Sequence, residues 1–362
     1  MVKTDYLYVL LMFLEDGTVL GQVPVMADWE PAAEHCIFTG IRQGRLSESP
    51  APREVVVAPL WSPSLGEPYV YGVRVSVLNE HGQAVDCAVP ITYFRPLAEQ
   101  VSAQLVAQGT LKSGQDFRFL VQAFVNAEAD AELIRERIEV ETVVPPLPLK
   151  TSSLGDYLRR SNAPSQPDDA DMPVFIPSHV LEEVEDTAKG TGSLETGGIL
   201  AGYLRRDAEV PEVFLEVTVQ IPARHTKAEL TRLTLTPDTW ADVQNTLRLR
   251  GRDETILGWW HSHSYMKETC KDCRKARDGT CTTNAAFMSS EDCSLHRICF
   301  PRAFSVALVV SSSPCAGVSK ALFGWRHGMI CSRRFHMLDG NSPVRSEPLT
   351  PAATAMKGDD NA

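Results

Sequence analysis

The chain reads as an α/β protein built in two units, and three observations predict it. The short continuous apolar runs "ETILGWW" and "AFSVALVV" have the composition of central strands buried on both faces. Amphipathic helical stretches alternate with them, the arrangement of a sheet layered with helices. Ahead of these lie β-branched, partly alternating runs with one amphipathic helix among them, which marks a separate α+β unit. At 362 residues the chain has room for two such units at about 150 residues each.

The first unit is expected over 1–145. "YLYVLLMFL" is too short to span a membrane, lacks the flanks of a signal peptide and runs into the turn "EDGTV", so it is read as the first strand of a hairpin. "REVVVAPLW" and "YVYGVRVSVLN" follow as strands, with "EHGQ" turning into "AVDCAVPITYF". "LAEQVSAQLVAQG" places Leu97, Val101, Leu105 and Val106 at helical spacing and stops at Gly109. "DFRFLVQAFV" returns to strand. His35, Cys36 and Cys87 are scattered through this unit and read as unrelated singletons.

Residues 146–172, rich in Pro, Ser and Asp, are expected to link the units. The second unit is placed at 173–340. Ser178 is an expected N-cap for a helix carrying Val180, Leu181 and Val184 on one face. "ETGGILAGYL" is a strand entered through glycines, with "EVFLEVTVQIPA" as its neighbour. Thr236 caps a further helix whose first residue is Pro237 and whose inner side carries Trp240, Val243 and Leu247. The small polar stretch 341–362 is read as a flexible tail.

Net charge is −11 and the pI is about 5.4. That balance argues against a nucleic-acid partner, which needs a basic surface. Nine cysteines, five of them crowded from Cys270 to Cys299, suit a reducing compartment and a local metal site better than a disulfide framework. The expected setting is cytoplasmic, without a membrane.

The chemistry gathers around "GWWHSHSY". In a strand, alternate side chains share a face, so His261 and His263 aim the same way. Two imidazoles on one face suit a metal better than a core. A catalytic zinc generally takes three protein ligands, and Asp292 in "SSED" supplies a carboxylate to join them. Glu195 could then carry protons, and Ser289, three residues before Asp292, could donate to an oxyanion. Trp259 and Trp260 read as core and site-wall residues.

Glu195 in "ETGGILAGYL", "HSHS" at 261–264 and "SSED" at 289–292, in this order, resemble the JAMM (MPN-domain) zinc metallopeptidases. The resemblance covers 173–340. It implies a cytidine-deaminase-like sheet flanked by helices, and cleavage after the C-terminal residue of a ubiquitin-like protein. It also implies zinc held by His261, His263 and Asp292, with Glu195 as base and acid and Ser289 at the oxyanion. The implied partners are a ubiquitin-like protein or its conjugates, and the activating and conjugating enzymes of the same pathway. Two-domain chains of this kind resemble those of prokaryotic ubiquitin-like conjugation systems, with the N-terminal unit selecting partners. Two alternatives stay open: a non-catalytic MPN-type scaffold, and a peptidase acting on a sulfur-carrier protein adduct.

The chain departs from the family in one place. Residues 264–288 form a longer connection than usual and contain "CKDCRKARDGTC". Cys270, Cys273 and Cys281 with Cys293 have the spacing of a closed structural zinc site, with His296 or Cys299 as the alternative fourth ligand. Two zinc ions per chain are therefore expected, one catalytic and one structural.

Overall fold

The structure, a computed structural model, describes residues 2–48, 53–62, 69–126, 146–162, 171–190, 195–224, 227–229, 232–264, 286–313 and 317–338. Among them are two large mixed sheets and six α-helices. None of these helices is long and apolar enough to cross a membrane.

The first sheet holds β1 (Val2–Lys3), β2 (Tyr6–Phe13), β3 (Val19–Val25), β4 (Val55–Trp61), β5 (Val70–Leu78), β6 (Ala84–Pro90) and β7 (Arg118–Val125). Its order is β1-β4-β5-β7-β2-β3, with β6 on β5. Alternation decides which face is covered: Tyr8, Leu10 and Met12 of β2 are buried, whereas Leu7 between them is exposed. Helix α1 (Glu30–Arg42) packs on β5 and β6, and α2 (Arg95–Ala107) packs on β3. On α2 the buried stripe is Ala98, Val101 and Leu105. Val106, expected on that stripe, points outward.

Helix α1 was not anticipated. Ile37, Phe38, Thr39 and Gly40 are poor helix formers, and their contribution is outweighed by the burial of Ala32, Ala33, Cys36, Phe38 and Ile41. Tertiary packing makes this helix.

The second sheet begins inside the stretch expected to link the units. There β8 (Leu149–Ser152) pairs with a strand of the sheet, and α3 (Leu154–Arg159) and β9 (Ser161–Asn162) follow. Next come β10 (Val174–Pro177), α4 (Ser178–Gly190), β11 (Gly197–Asp207) and β12 (Val213–Pro222). Ser178 is the first residue of α4 rather than a cap ahead of it. A small hairpin, β13 (Lys227–Glu229) and β14 (Arg232–Thr234), stands as a separate two-stranded sheet. The chain continues through α5 (Pro237–Arg250), β15 (Thr255–Ser264), α6 (Ser290–Cys299), β16 (Val306–Ser313), β17 (Gly317–Arg326), β18 (Met329–Arg333) and β19 (His336–Leu338). The strand order is β18-β17-β16-β15-β11-β12-β10-β19-β9, with β8 on β11.

Helices cover both faces of this sheet. Trp260, Leu200 and Leu308 point to the side where α4 buries Val180, Leu181 and Val184. Trp259, Ile199 and Ala307 point to the other, against Val243 of α5 and Phe300 after α6. Period-two geometry thus sends adjacent tryptophans into different layers, and carries His261 to the side of Trp259.

Helix α1 also joins the two sheets. Arg42 binds Glu212 through two nitrogens and donates to the Asp171 carbonyl. Glu34 accepts from Arg302 at 2.9 Å and from the Ala303 amide at 3.2 Å. The Phe38 and Phe304 rings lie 6.1 Å apart, and those of His35 and His327 5.0 Å apart. Gly328 closes the contact. Its φ is +73°, and a Cβ there would lie 2.6 Å from the Ala32 nitrogen.

Candidate metal centre

Three elements converge on one point. β15 delivers His261 and His263, Glu195 lies beside them two residues ahead of the start of β11, and the first turn of α6 brings Asp292. β15 lies in the middle of the sheet, antiparallel to β11 and parallel to β16, and Gly197 is registered opposite His261. Gly198 allows the close packing: a Cβ there would lie 2.4 Å from the Ile221 carbonyl oxygen and 2.6 Å from the Trp260 indole nitrogen. Ser262 fastens the end of β11. Its amide donates to the Thr196 carbonyl at 2.8 Å, and its hydroxyl accepts from the Thr196 amide at 3.1 Å. Glu195 is therefore held next to the histidine pair.

The donor atoms face one another. His261 Nε2 lies 3.0 Å from His263 Nε2, and the two lie 3.3 and 3.4 Å from Asp292 Oδ2. Zinc bonds of about 2.0–2.1 Å to nitrogen and oxygen give a tetrahedron with edges of about 3.3–3.4 Å. The three spacings are close to those edges. Burying three lone-pair atoms against one another is unfavourable unless a cation or a proton sits among them. His261 is fully buried, and its Nδ1 has no hydrogen-bond partner among the described residues. This group can hold a metal ion.

Protonation agrees with a ligand role. Complete burial lowers the His261 pKa and keeps the ring neutral. Burial alone would raise Asp292, but hydrogen bonds with His261, His263 and Ser289 hold it well below the usual carboxylate range. Glu195 goes the other way. Burial raises it to about 7, with His263 opposing and Asp292 adding to the shift.

Ser289 is the N-cap of α6. Its hydroxyl accepts from the Asp292 amide at 3.1 Å and donates to Asp292 Oδ2 at 2.8 Å, and its own amide donates to the same oxygen at 2.8 Å. This reciprocal pair is a capping box in which the N3 residue is also the carboxylate of the metal centre. One short turn both starts the helix and aims the carboxylate.

Trp259 is expected from the sequence as a core and site-wall residue and His296 as an alternative ligand, whereas Phe287 was not anticipated. The Trp259 ring stacks on His261 at 4.5 Å and 14°, and its indole N–H donates to Nδ1 of the buried His296 at 3.1 Å. Burial lowers His296 to about 4, so it accepts as a neutral ring. His296 is thus committed to the layer beneath the site. A histidine one helical turn after Asp292 was the available signal, but only the packing shows which way it points. Phe287, exposed at the rim, meets His263 at 4.7 Å. Cys293 and Cys299 are half-buried free thiols. Cys270, Cys273 and Cys281 lie outside the described residues.

No family model matches the chain, and no curated protein matches it. Among solved structures, the solution structure of a protein from Desulfitobacterium hafniense matches with 19% identity, covering 46% of this chain and 93% of that one. Its TM-score of 0.32 is too low to carry an argument.

Proposed function

We propose that this chain is a zinc-dependent peptidase or isopeptidase of the JAMM type, which removes or processes a ubiquitin-like protein after its C-terminal residue. The observation that carries the proposal is the convergence of His261, His263 and Asp292 at tetrahedral spacing, with Glu195 just ahead of the adjoining strand. Bound there, zinc would supply Lewis acidity and an activated water nucleophile at neutral pH.

The chain's own residues do the remainder. Neutral His261 and ionised Asp292 are in the protonation states that ligation requires. Glu195, with a pKa near neutral, takes a proton from the nucleophile and returns it to the leaving amine. Ser289 holds Asp292 in place, and its hydroxyl would donate to the oxyanion on turning away from Asp292 Oδ2. The unit containing the first sheet would select the ubiquitin-like partner or its conjugates. A second, structural zinc at Cys270, Cys273, Cys281 and Cys293 would staple the long connection.

The test is cleavage of linear and isopeptide-linked ubiquitin-like fusions by the full chain, with and without chelator, followed by zinc re-addition. Loss on chelation and recovery with zinc is the expected result. Cleavage that survives verified metal removal would overturn the proposal. Tight zinc binding with no cleavage of any fusion would favour the scaffold. Elemental analysis should give about two zincs per chain, falling to about one in Cys273→Ser.

A further inference from the structure

Cys36 and Cys87 are far apart in sequence, and the fold brings them together away from the metal centre. Cys36 sits in α1, fully buried, with its Sγ donating to the carbonyl oxygens of Val75 at 3.4 Å and Val85 at 3.5 Å. Val75 is the cross-strand partner of Cys87, and Val85 lies two residues before Cys87 on the same strand. The pleat therefore turns Cys87 inward between buried Val85 and Val89, beneath α1. The two side chains therefore face each other where α1 packs on β6, and both are free thiols. We propose that Cys36 and Cys87 form a redox-active dithiol that closes into an intrachain disulfide, clipping α1 to β6.

The two thiols differ in the ways such chemistry needs. Cys87 is half-buried, and its pKa is lowered, first by the neighbouring Cys36 thiol and also by Arg45, although burial opposes them. Cys36 is pushed up by the neighbouring Cys87 and by burial. An open cleft of about 500 Å³ has Arg45, His81 and Val85 on its wall, and Val85 lies two residues before Cys87, although neither cysteine lines the cleft. Cys87 is thus the attacking group and Cys36 the resolving one.

A hydroperoxide is the oxidant. The Cys87 thiolate attacks the terminal oxygen of the hydroperoxide and the O–O bond breaks. This gives Cys87 sulfenic acid and an alkoxide (hydroxide from hydrogen peroxide), which takes from solvent the proton that Cys87 released and leaves as alcohol or water. The Cys36 thiol then attacks the sulfenyl sulfur, forming the S–S bond, and the hydroxide expelled takes the Cys36 proton and leaves as water. Two thiols lose two electrons, and the peroxide gains them. Because α1 also carries His35, Phe38 and Arg42 against the metal-bearing sheet, closure would stiffen the element that joins the two sheets.

Reduced full-length protein, treated under native conditions with limiting hydrogen peroxide and digested without reductant, should yield a Cys36–Cys87 peptide by mass spectrometry. Dithiothreitol should reverse it. Cys36→Ser should instead stop Cys87 at the sulfenic acid, trapped by dimedone. Cys87→Ser should leave Cys36 reduced at the same dose. The wild-type map decides the matter even if a variant fails to fold. The proposal is overturned if Cys87 is oxidised with no 36–87 peptide, or if both residues stay reduced and alkylate independently.

Discussion

Ser289→Ala separates the two tasks assigned to this residue. The substitution removes one hydrogen bond accepted from the Asp292 amide and one donated to Oδ2, and leaves the Ser289 amide bond to the same oxygen intact. Losing an N-cap costs about 1 kcal/mol, and losing a hydrogen bond to a charged group about 1.5–3 kcal/mol. The two losses overlap, because the remaining amide still holds the carboxylate. About 2 kcal/mol is the expected loss in metal-free protein, read from urea unfolding. Zinc affinity should fall about 10–100-fold, as it does when a partner of a ligand is removed. Turnover at saturating zinc then divides the roles. If Ser289 acts only by positioning Asp292, saturation restores turnover. If it also donates to the oxyanion, a loss of about 10²–10³-fold remains. Unchanged stability together with unchanged zinc affinity would refute the reasoning.

Glu195→Gln should keep zinc content and fold while lowering cleavage by about 10²-fold or more, and normal turnover in a zinc-loaded variant would contradict its proton-transfer role. Between the sheets, burial first, then His327, Arg333 and Arg42, lower His35 to about 3, with Asp171 opposing. Its unfolded value is about 6.5, so the unfolded chain binds more protons below that pH, and stability is lost as pH falls from about 6.5 towards 3. The loss from this residue should reach about 2 kcal/mol by pH 5, and His35→Gln should flatten the urea-midpoint profile over that range. Gly328→Ala places a side chain at φ +73° and 2.6 Å from the Ala32 nitrogen. It should cost at least about 2 kcal/mol and expose the α1 contact to proteolysis, with zinc affinity unchanged. Wild-type stability in that variant would show that the contact is not tight.

Periodicity and punctuation made much of this molecule legible in its sequence. The runs around Gly258 and Val306 are apolar on both faces because they lie in mid-sheet, and that follows from composition alone. Thr236 followed by Pro237 announced α5, whose cap bond the structure contains. His-x-His set two imidazoles on one face, because strand geometry has a period of two. What lay hidden depended on long-range packing. Helix α1 has weak local propensity and exists because a sheet lies under it. The stretch around Leu149 was read as a linker from its composition, yet it supplies a strand to β11, since pairing depends on a partner distant in sequence. Cys36 and Cys87 were unrelated until α1 crossed β6. The hydrogen bond that Trp259 donates to His296 Nδ1 appears only once α6 packs under β15. Sequence determined which side chains could share a face within one element. The tertiary structure alone decided which elements met, because contacts between distant segments leave no periodic trace in either segment.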